Sequence, residues 1–328
     1  MRAWQVTGQG EPVDVMRLVD VPDLTPGPKQ VVVDVRAAAA NFPDILMCRG
    51  IYQEKPPLPF TPGIEVCGTV TAVGDGVEGI EIGSRVLGDI VLPNGGYAEQ
   101  AIMPMRGVFT APPELDDAEA AALYVAYQTG WFGLHHRAHL QPGETLLVHA
   151  AAGGVGSAAV QLGKAAGATV IAVVGSADKV QVAIDQGADV VVDRSTQDFV
   201  DVVKDVTDGR GADVVYDPVG GDVFRRSTKC IAFEGRILVI GFASGDIADA
   251  ATNHVLIKNY SVVGLHWANY RIKRPDLVRH CHDELLALSA AGAIKPLVSE
   301  RVPLEDVSAM LGRLASGSTT GRVVWVSA

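Results

Sequence analysis

The second half of the chain carries short, continuous apolar runs at regular intervals. They are Leu146-Leu147-Val148, Val170-Ile171-Ala172-Val173-Val174, Val190-Val191-Val192, Val214-Val215-Tyr216, Ile237-Leu238-Val239-Ile240 and Val262-Val263-Gly264-Leu265. Between them lie helix-forming stretches, such as residues 157–166 and 179–186. Apolar runs without alternation predict strands buried on both faces, and strands alternating with helices predict a parallel sheet. About six such units match the size of a doubly wound dinucleotide fold.

The first third has a different texture. Val31-Val32-Val33-Asp34-Val35 and Gly68-Thr69-Val70-Thr71-Ala72-Val73 are β-branched runs, the second followed by the turn signal Gly74-Asp75-Gly76. With Pro and Gly punctuating residues 56–63, this predicts a β-rich barrel or folded sheet with long loops. The change comes near Asp116, where Asp117-Ala118-Glu119-Ala120-Ala121-Ala122-Leu123 opens a helix. Beyond Leu265 the pattern predicts a helix over 276–291 and a last strand over 321–326. That tail is free to return to the first domain, making the dinucleotide unit an insertion.

Composition narrows the function classes. A formal charge of -11 over 328 residues removes the broad basic face that attracts nucleic acid. The four cysteines, Cys48, Cys67, Cys230 and Cys281, are scattered, which fits a reducing compartment and not a disulfide framework. The start has no apolar signal-peptide core, and no run is long enough to span a membrane. A cytoplasmic location is expected.

The sharpest motif is His149-Ala150-Ala151-Ala152-Gly153-Gly154-Val155-Gly156-Ser157, set between an expected strand and an expected helix. In that setting Gly153 and Gly154 let the backbone approach a pyrophosphate, and Gly156 lets the helix pack close to the strand. Amides at the helix start would bind the anion. Ala151 stands where the first glycine of the usual fingerprint would be. The second strand ends Val174-Gly175-Ser176-Ala177-Asp178-Lys179, with no acid directly at its end. Ser176, Lys179 and Arg194 supply the donor and cations a ribose 2′-phosphate wants, so NADPH is the expected cofactor. Asp178 and Asp193 are groups that would favour the diol of NADH instead.

Several motifs together resemble one family. They are Asn41-Phe42-Pro43-Asp44, Arg49-Gly50-Ile51-Tyr52, Pro62-Gly63-Ile64-Glu65-Val66-Cys67-Gly68, Val73-Gly74-Asp75-Gly76-Val77, and the glycine turn with Gly143-Glu144 ahead of its strand. The chain resembles the zeta-crystallin-like quinone oxidoreductases, a zinc-free branch of the medium-chain dehydrogenase/reductase superfamily, over nearly its whole length. The resemblance implies an α/β protein with a GroES-like β-rich catalytic domain, residues 1–117 completed by 266–328. It implies a doubly wound Rossmann domain over 118–265, an active site in the cleft, and a homodimer joined through the edge strand at 261–265. It places Asn41, Tyr52 and Thr129 beside the nicotinamide. Ala152, Gly153, Gly154, Val155 and Gly156 match the pyrophosphate turn, and Ser176 and Lys179 the 2′-phosphate pair. Gly241, Phe242 and Ala243 match the loop that shapes the nicotinamide pocket, and Arg322 is a further cofactor candidate. Arg194 stands where relatives often have Tyr, so its phosphate role rests on its chemistry. Cys48 stands where some members have Arg.

Zinc-dependent relatives resemble one another in a Cys-His pair near the first helix and a Gly-His-Glu segment. Here those places read Asn41-Phe42-Pro43-Asp44 and Gly63-Ile64-Glu65, and the closely spaced structural cysteines are missing, so no metal is expected. The eight histidines read as packing or surface groups. Without a Lewis acid, the easier chemistry is hydride transfer to an already polarised acceptor. The expected activity is NADPH:quinone oxidoreduction, with 2-enoyl-thioester or enone reduction as the alternative. Tyr52 or Asn41 would stabilise the developing charge, and water would deliver the proton. A CoA thioester would want a basic strip, for which Arg271, Lys273 and Arg274 are the nearest cluster. A non-catalytic nucleotide-binding role is a third class, which the acidic balance and the intact site residues disfavour.

Overall fold

The computed structural model describes residues 1–328. Its contacts divide the chain into two compact units, Met1–Val125 with Pro296–Ala328, and Ala126–Lys295. The family resemblance implies boundaries after 117 and after 265. The second crossing lies 30 residues later, because the segment after the last parallel strand packs on its own unit. Trp267 donates its indole N–H to Gln128 at 3.2 Å, and Trp131 donates to Glu284 on the helix Pro275–Ala290 at 2.6 Å. The first crossing falls inside the helix Asp117–Trp131 instead of before it.

Ala126–Lys295 is built on six parallel strands. In space they run Val190–Asp193, Thr169–Val174, Thr145–Val148, Ala212–Asp217, Ile231–Val239 and Ser261–Gly264. Numbered along the unit, this is the order 3-2-1-4-5-6 of a dinucleotide-binding sheet. Leu147 sits beside Ile171 on one side and Val215 on the other. All three are fully buried, which is why these strands are written as unbroken apolar runs. Phe199, Val203, Phe224 and Ile237 complete the core on that face. The fifth strand begins earlier than its apolar run, at Ile231. The chain order reverses between Thr145–Val148 and Ala212–Asp217, and such switch points are where α/β sheets take ligands, at the carboxyl ends of the strands.

In the other unit, Gln30–Ala39 pairs antiparallel with Glu65–Val73, Gln100–Pro104 and Arg322–Val326. Arg85–Asp89, Val108–Thr110 and Val298–Val302 complete the sheet. The C-terminal strand thus lies beside a strand nearly 300 residues away, with Trp325 opposite Ala38. Tyr97, Ile45, Met103 and Trp325 are fully buried beneath it. No helix of the chain is long and apolar enough to cross a membrane.

Candidate active site

The glycine turn stands at the carboxyl end of Thr145–Val148, at the switch point. Ala150 takes a left-handed backbone, φ 50°, and its carbonyl accepts from Gly153 N at 2.9 Å. Gly153 then caps the helix Gly154–Ala165 with extended backbone and no side chain of its own. A Cβ on Gly156 would lie 2.2 Å from the Ala150 carbonyl oxygen, so only glycine lets the first helical turn approach this closely. The same test at Gly153 gives 3.2 Å to the same oxygen, a contact that asks for a shift of only a few tenths of an ångström. Gly153, Gly154 and Val155 are half-exposed, whereas Ala152 and Gly156 are buried. The amides of the first turn are therefore presented to solvent over a compact base, a geometry suited to a diphosphate.

His149 braces this turn from below. Its ring is buried, edge-on to Phe199. Ser227 Oγ gives its one hydrogen to the Val223 carbonyl at 2.8 Å, so the 2.9 Å contact between His149 Nε2 and Ser227 Oγ has the imidazole as donor. Burial, with Arg194 and Arg226 nearby, lowers the imidazole pKa to about 3, and the ring stays neutral.

At the end of the second strand the structure gathers Gly175, half-exposed Ser176 and Lys179, and exposed Arg194. The Arg194 guanidinium lies 3.8 Å from where a Gly175 Cβ would stand. Asp193, one of the two acids that would favour a ribose diol, is buried and turned into its own loop, accepting from Ser195 N at 2.9 Å and Ser195 Oγ at 2.7 Å. Asp178 remains at this corner, and a hydrogen bond from Ser176 holds its carboxyl below the usual range.

Gly241, Phe242 and Ala243 follow the fifth strand. Ala243 N bonds the Pro218 carbonyl at 3.0 Å, and Ser244 N the Val219 carbonyl at 3.0 Å. Asp217 holds the facing turn by accepting from Val219 N and Gly220 N. The Phe242 ring sits over Gly220 and is 38% exposed, so this loop presents an aromatic face. Thr129 is half-exposed on the helix Asp117–Trp131. The basic cluster expected at 271–274 is largely engaged: Arg271 stacks on Trp267 at 5.4 Å, and Arg274 bonds Asp276 at 3.0 Å.

In the β-rich unit, the structure places Asn41 and Arg322 together around an acid that the sequence reading passed over. Arg322 forms a close, buried ion pair with Glu65 and donates to Asn41 Oδ1 at 3.0 Å. Asn41 Nδ2 gives one hydrogen to Glu65 at 2.9 Å and the other to the Ala39 carbonyl at 3.1 Å. Two expectations are corrected here. The Asn41 carboxamide has no hydrogen left for an oxyanion, and the Arg322 guanidinium is buried on Glu65 instead of standing free for a cofactor. Burial raises the proton affinity of Glu65, opposed by Arg322, Val125 N–H and the Asn41 amide.

Asp44 is the second missed acid. It closes a capping box on the helix Phe42–Cys48, accepting from Asn41 N at 3.0 Å, and takes further bonds from Gly63 N at 3.0 Å and Tyr97 Oη at 2.7 Å. Burial raises its pKa to about 6 despite these donors. The spacing Asn-x-x-Asp with Pro in the first turn is a sequence signal for this cap. Tyr52 packs partly buried against the edge of the same core.

Residues 27–113 match the alcohol dehydrogenase GroES-like domain model, and residues 154–283 the zinc-binding dehydrogenase model. The chain is 42% identical over 301 residues to a quinone oxidoreductase-like protein 2 homolog of Nematostella vectensis, covering 91% of this chain and 82% of that one. The chain belongs to the quinone oxidoreductase branch of the medium-chain dehydrogenase/reductase superfamily. Among solved structures, Escherichia coli quinone oxidoreductase complexed with NADPH superposes with a TM-score of 0.92 at 30% identity over the whole of both chains. CurK enoyl reductase superposes with a TM-score of 0.88 at 27% identity, over 99% of this chain and 98% of that one. This quinone oxidoreductase relative does not fit the zinc of the second family description. Asn41-Phe42-Pro43-Asp44 and Gly63-Ile64-Glu65 contain no Cys or His, Glu65 is held by Arg322, and no three His, Cys, Asp or Glu side chains are grouped to hold a metal ion.

Proposed function

We propose that this chain is an NADPH-dependent reductase that passes hydride to a quinone. The observation that carries the reading is the glycine turn at the switch point together with Ser176, Lys179 and Arg194 at the end of the next strand. The amides of residues 153–155 hold the diphosphate, and the serine and two cations receive the 2′-phosphate. Asp193, turned inward, does not compete for a ribose diol. Thr129 and the loop 241–243 flank the nicotinamide. NADPH, when bound, supplies the hydride. Tyr52 is the side chain that the family resemblance sets beside the developing oxyanion, with solvent completing the protonation. Asn41 and Arg322 act through Glu65, holding the backbone around residues 39–41 and 65 in place.

The test is the rate of NADPH loss with a simple quinone and a short enoyl thioester under matched conditions. Fast turnover of the quinone alone supports this reading. Preference for the thioester supports a second one, enoyl-thioester reduction, which the likeness to CurK enoyl reductase favours. Turnover of neither acceptor removes both. Lys179→Ala is expected to weaken NADPH binding about tenfold while leaving NADH binding within about twofold; equal losses with both dinucleotides would refute the 2′-phosphate assignment.

The reading extends to assembly and location. Ser261–Gly264 is an exposed sheet edge, and exposed Phe233, Leu256 and Ile257 are apolar side chains of the same unit, features that support a homodimer through this strand. A monomer by light scattering would exclude it. Four buried free thiols support a reducing, cytoplasmic location.

A further inference from the structure

One buried carboxamide holds both places where the chain enters and leaves the parallel-sheet unit. That unit begins at Ala126 and ends at Lys295. Gln161, 8% exposed on the helix Gly154–Ala165, accepts from Tyr127 Oη at 2.9 Å, next to the entry. At the exit it grips the Lys295 peptide on both sides, accepting from Lys295 N at 2.7 Å and donating to Lys295 O at 2.9 Å. Its second amide hydrogen goes to Gln186 Oε1. Two acceptor sites and two donors are all in use, so the orientation of the amide is set and no water is needed.

The position of Gln161 on its helix gives the clamp a consequence. Gly154 and Gln161 are seven residues apart, two turns along one face of the helix that starts at the phosphate-cradling turn. A helix of this length moves as a body. We propose that Gln161 is a positioning residue that couples dinucleotide binding at the glycine turn to both chain crossings, so that ordering the turn also tightens the entry and exit of the unit. The proposal rests on the dinucleotide-binding reading and adds to it a mechanical link to the two ends of the unit.

The Lys295 amide reports directly, because its acceptor is the Gln161 side chain. Amide exchange of the full-length protein with and without saturating NADPH is the experiment. In wild type, NADPH is expected to slow exchange at Lys295 by about tenfold. In Gln161→Met, Lys295 is expected to exchange fast and NADPH to slow it less than about twofold, while by reciprocity the NADPH Kd rises by up to about tenfold. Binding by wild type without slowing at Lys295 overturns the coupling alone. No binding by wild type overturns the dinucleotide reading and the coupling with it. A Gln161→Met protein that still shows the full slowing at Lys295, or that exchanges fast there with an unchanged NADPH Kd, also overturns the coupling. Tyr127→Phe is the milder variant if Gln161→Met does not fold. It is expected to abolish the NADPH effect around residues 126–127 and leave that at Lys295; an unchanged effect at both places refutes the clamp at the entry.

Discussion

At the scale of single residues, the glycine turn makes the clearest demand. A Cβ at residue 156 would stand 2.2 Å from a backbone oxygen that is itself fixed by the left-handed Ala150. Neither partner is a flexible side-chain tip, so the helix start must shift and the amide cradle with it. Gly156→Ala is expected to raise the NADPH Kd by at least about tenfold, equivalent to about 1.4 kcal/mol. Gly153→Ala, with a 3.2 Å contact, is expected to cost less than about threefold. Fluorescence titration of NADPH measures both, and equal effects would show that the close approach at residue 156 is not what shapes the site. Ala150 is strained by the same turn. A non-glycine residue at φ 50° costs about 1 kcal/mol, a cost that the surrounding packing of the turn must offset.

At the scale of elements, the buried Glu65–Arg322 pair joins strands that are 257 residues apart in the chain. It fastens Arg322–Val326 to Glu65–Val73 and, through Val125 N at 2.7 Å, to the helix Asp117–Trp131. Removing one partner leaves a charge buried without its counter-ion. Arg322→Met is expected to cost about 3–5 kcal/mol, and Glu65→Gln with Arg322→Met to recover a substantial part of that loss. Urea denaturation of the three proteins measures this, and a double variant less stable than Arg322→Met would show that packing, not charge pairing, dominates here. This pair also marks the limit of legibility. Strands buried on both faces announce themselves as apolar runs, so the six-stranded sheet could be read from Leu146 to Leu265. The Asn41-x-x-Asp44 cap had a local signature too. Glu65 had none, because its partner lies in the last strand and nothing in a local window links the two. The same holds for residues 266–295, whose unit is decided by side chains such as Trp267 and Glu284 reaching back to Gln128 and Trp131.

At the scale of the whole molecule, titratable groups are unevenly shared between the two units. All eight histidines lie between residues 135 and 282, inside Ala126–Lys295. Two of them, His149 and His282, are buried, with pKa values lowered to about 3 by burial. The unfolded chain takes up these protons near pH 6.5 and the folded unit does not, so stability is full above that value and is lost as pH falls. Between pH 7 and 5 each costs roughly 2 kcal/mol. The β-rich unit has no histidine and its buried Asp44 acts in the opposite sense. The folded pKa of about 6 lies above the unfolded value near 3.9, so the folded unit holds the extra proton between the two. Its stability rises by about 1 kcal/mol as pH falls from 7 to 5. Acidification is therefore expected to weaken Ala126–Lys295 while firming Met1–Val125 with Pro296–Ala328, and to split one unfolding transition into two. Segment-resolved amide exchange across a urea series at pH 7 and pH 5 separates the two units. Parallel loss in both would mean that Asp44 is ionised in the folded protein throughout this range. Asp44→Asn should then leave the response of the β-rich unit unchanged, whereas with the raised pKa it removes the gain.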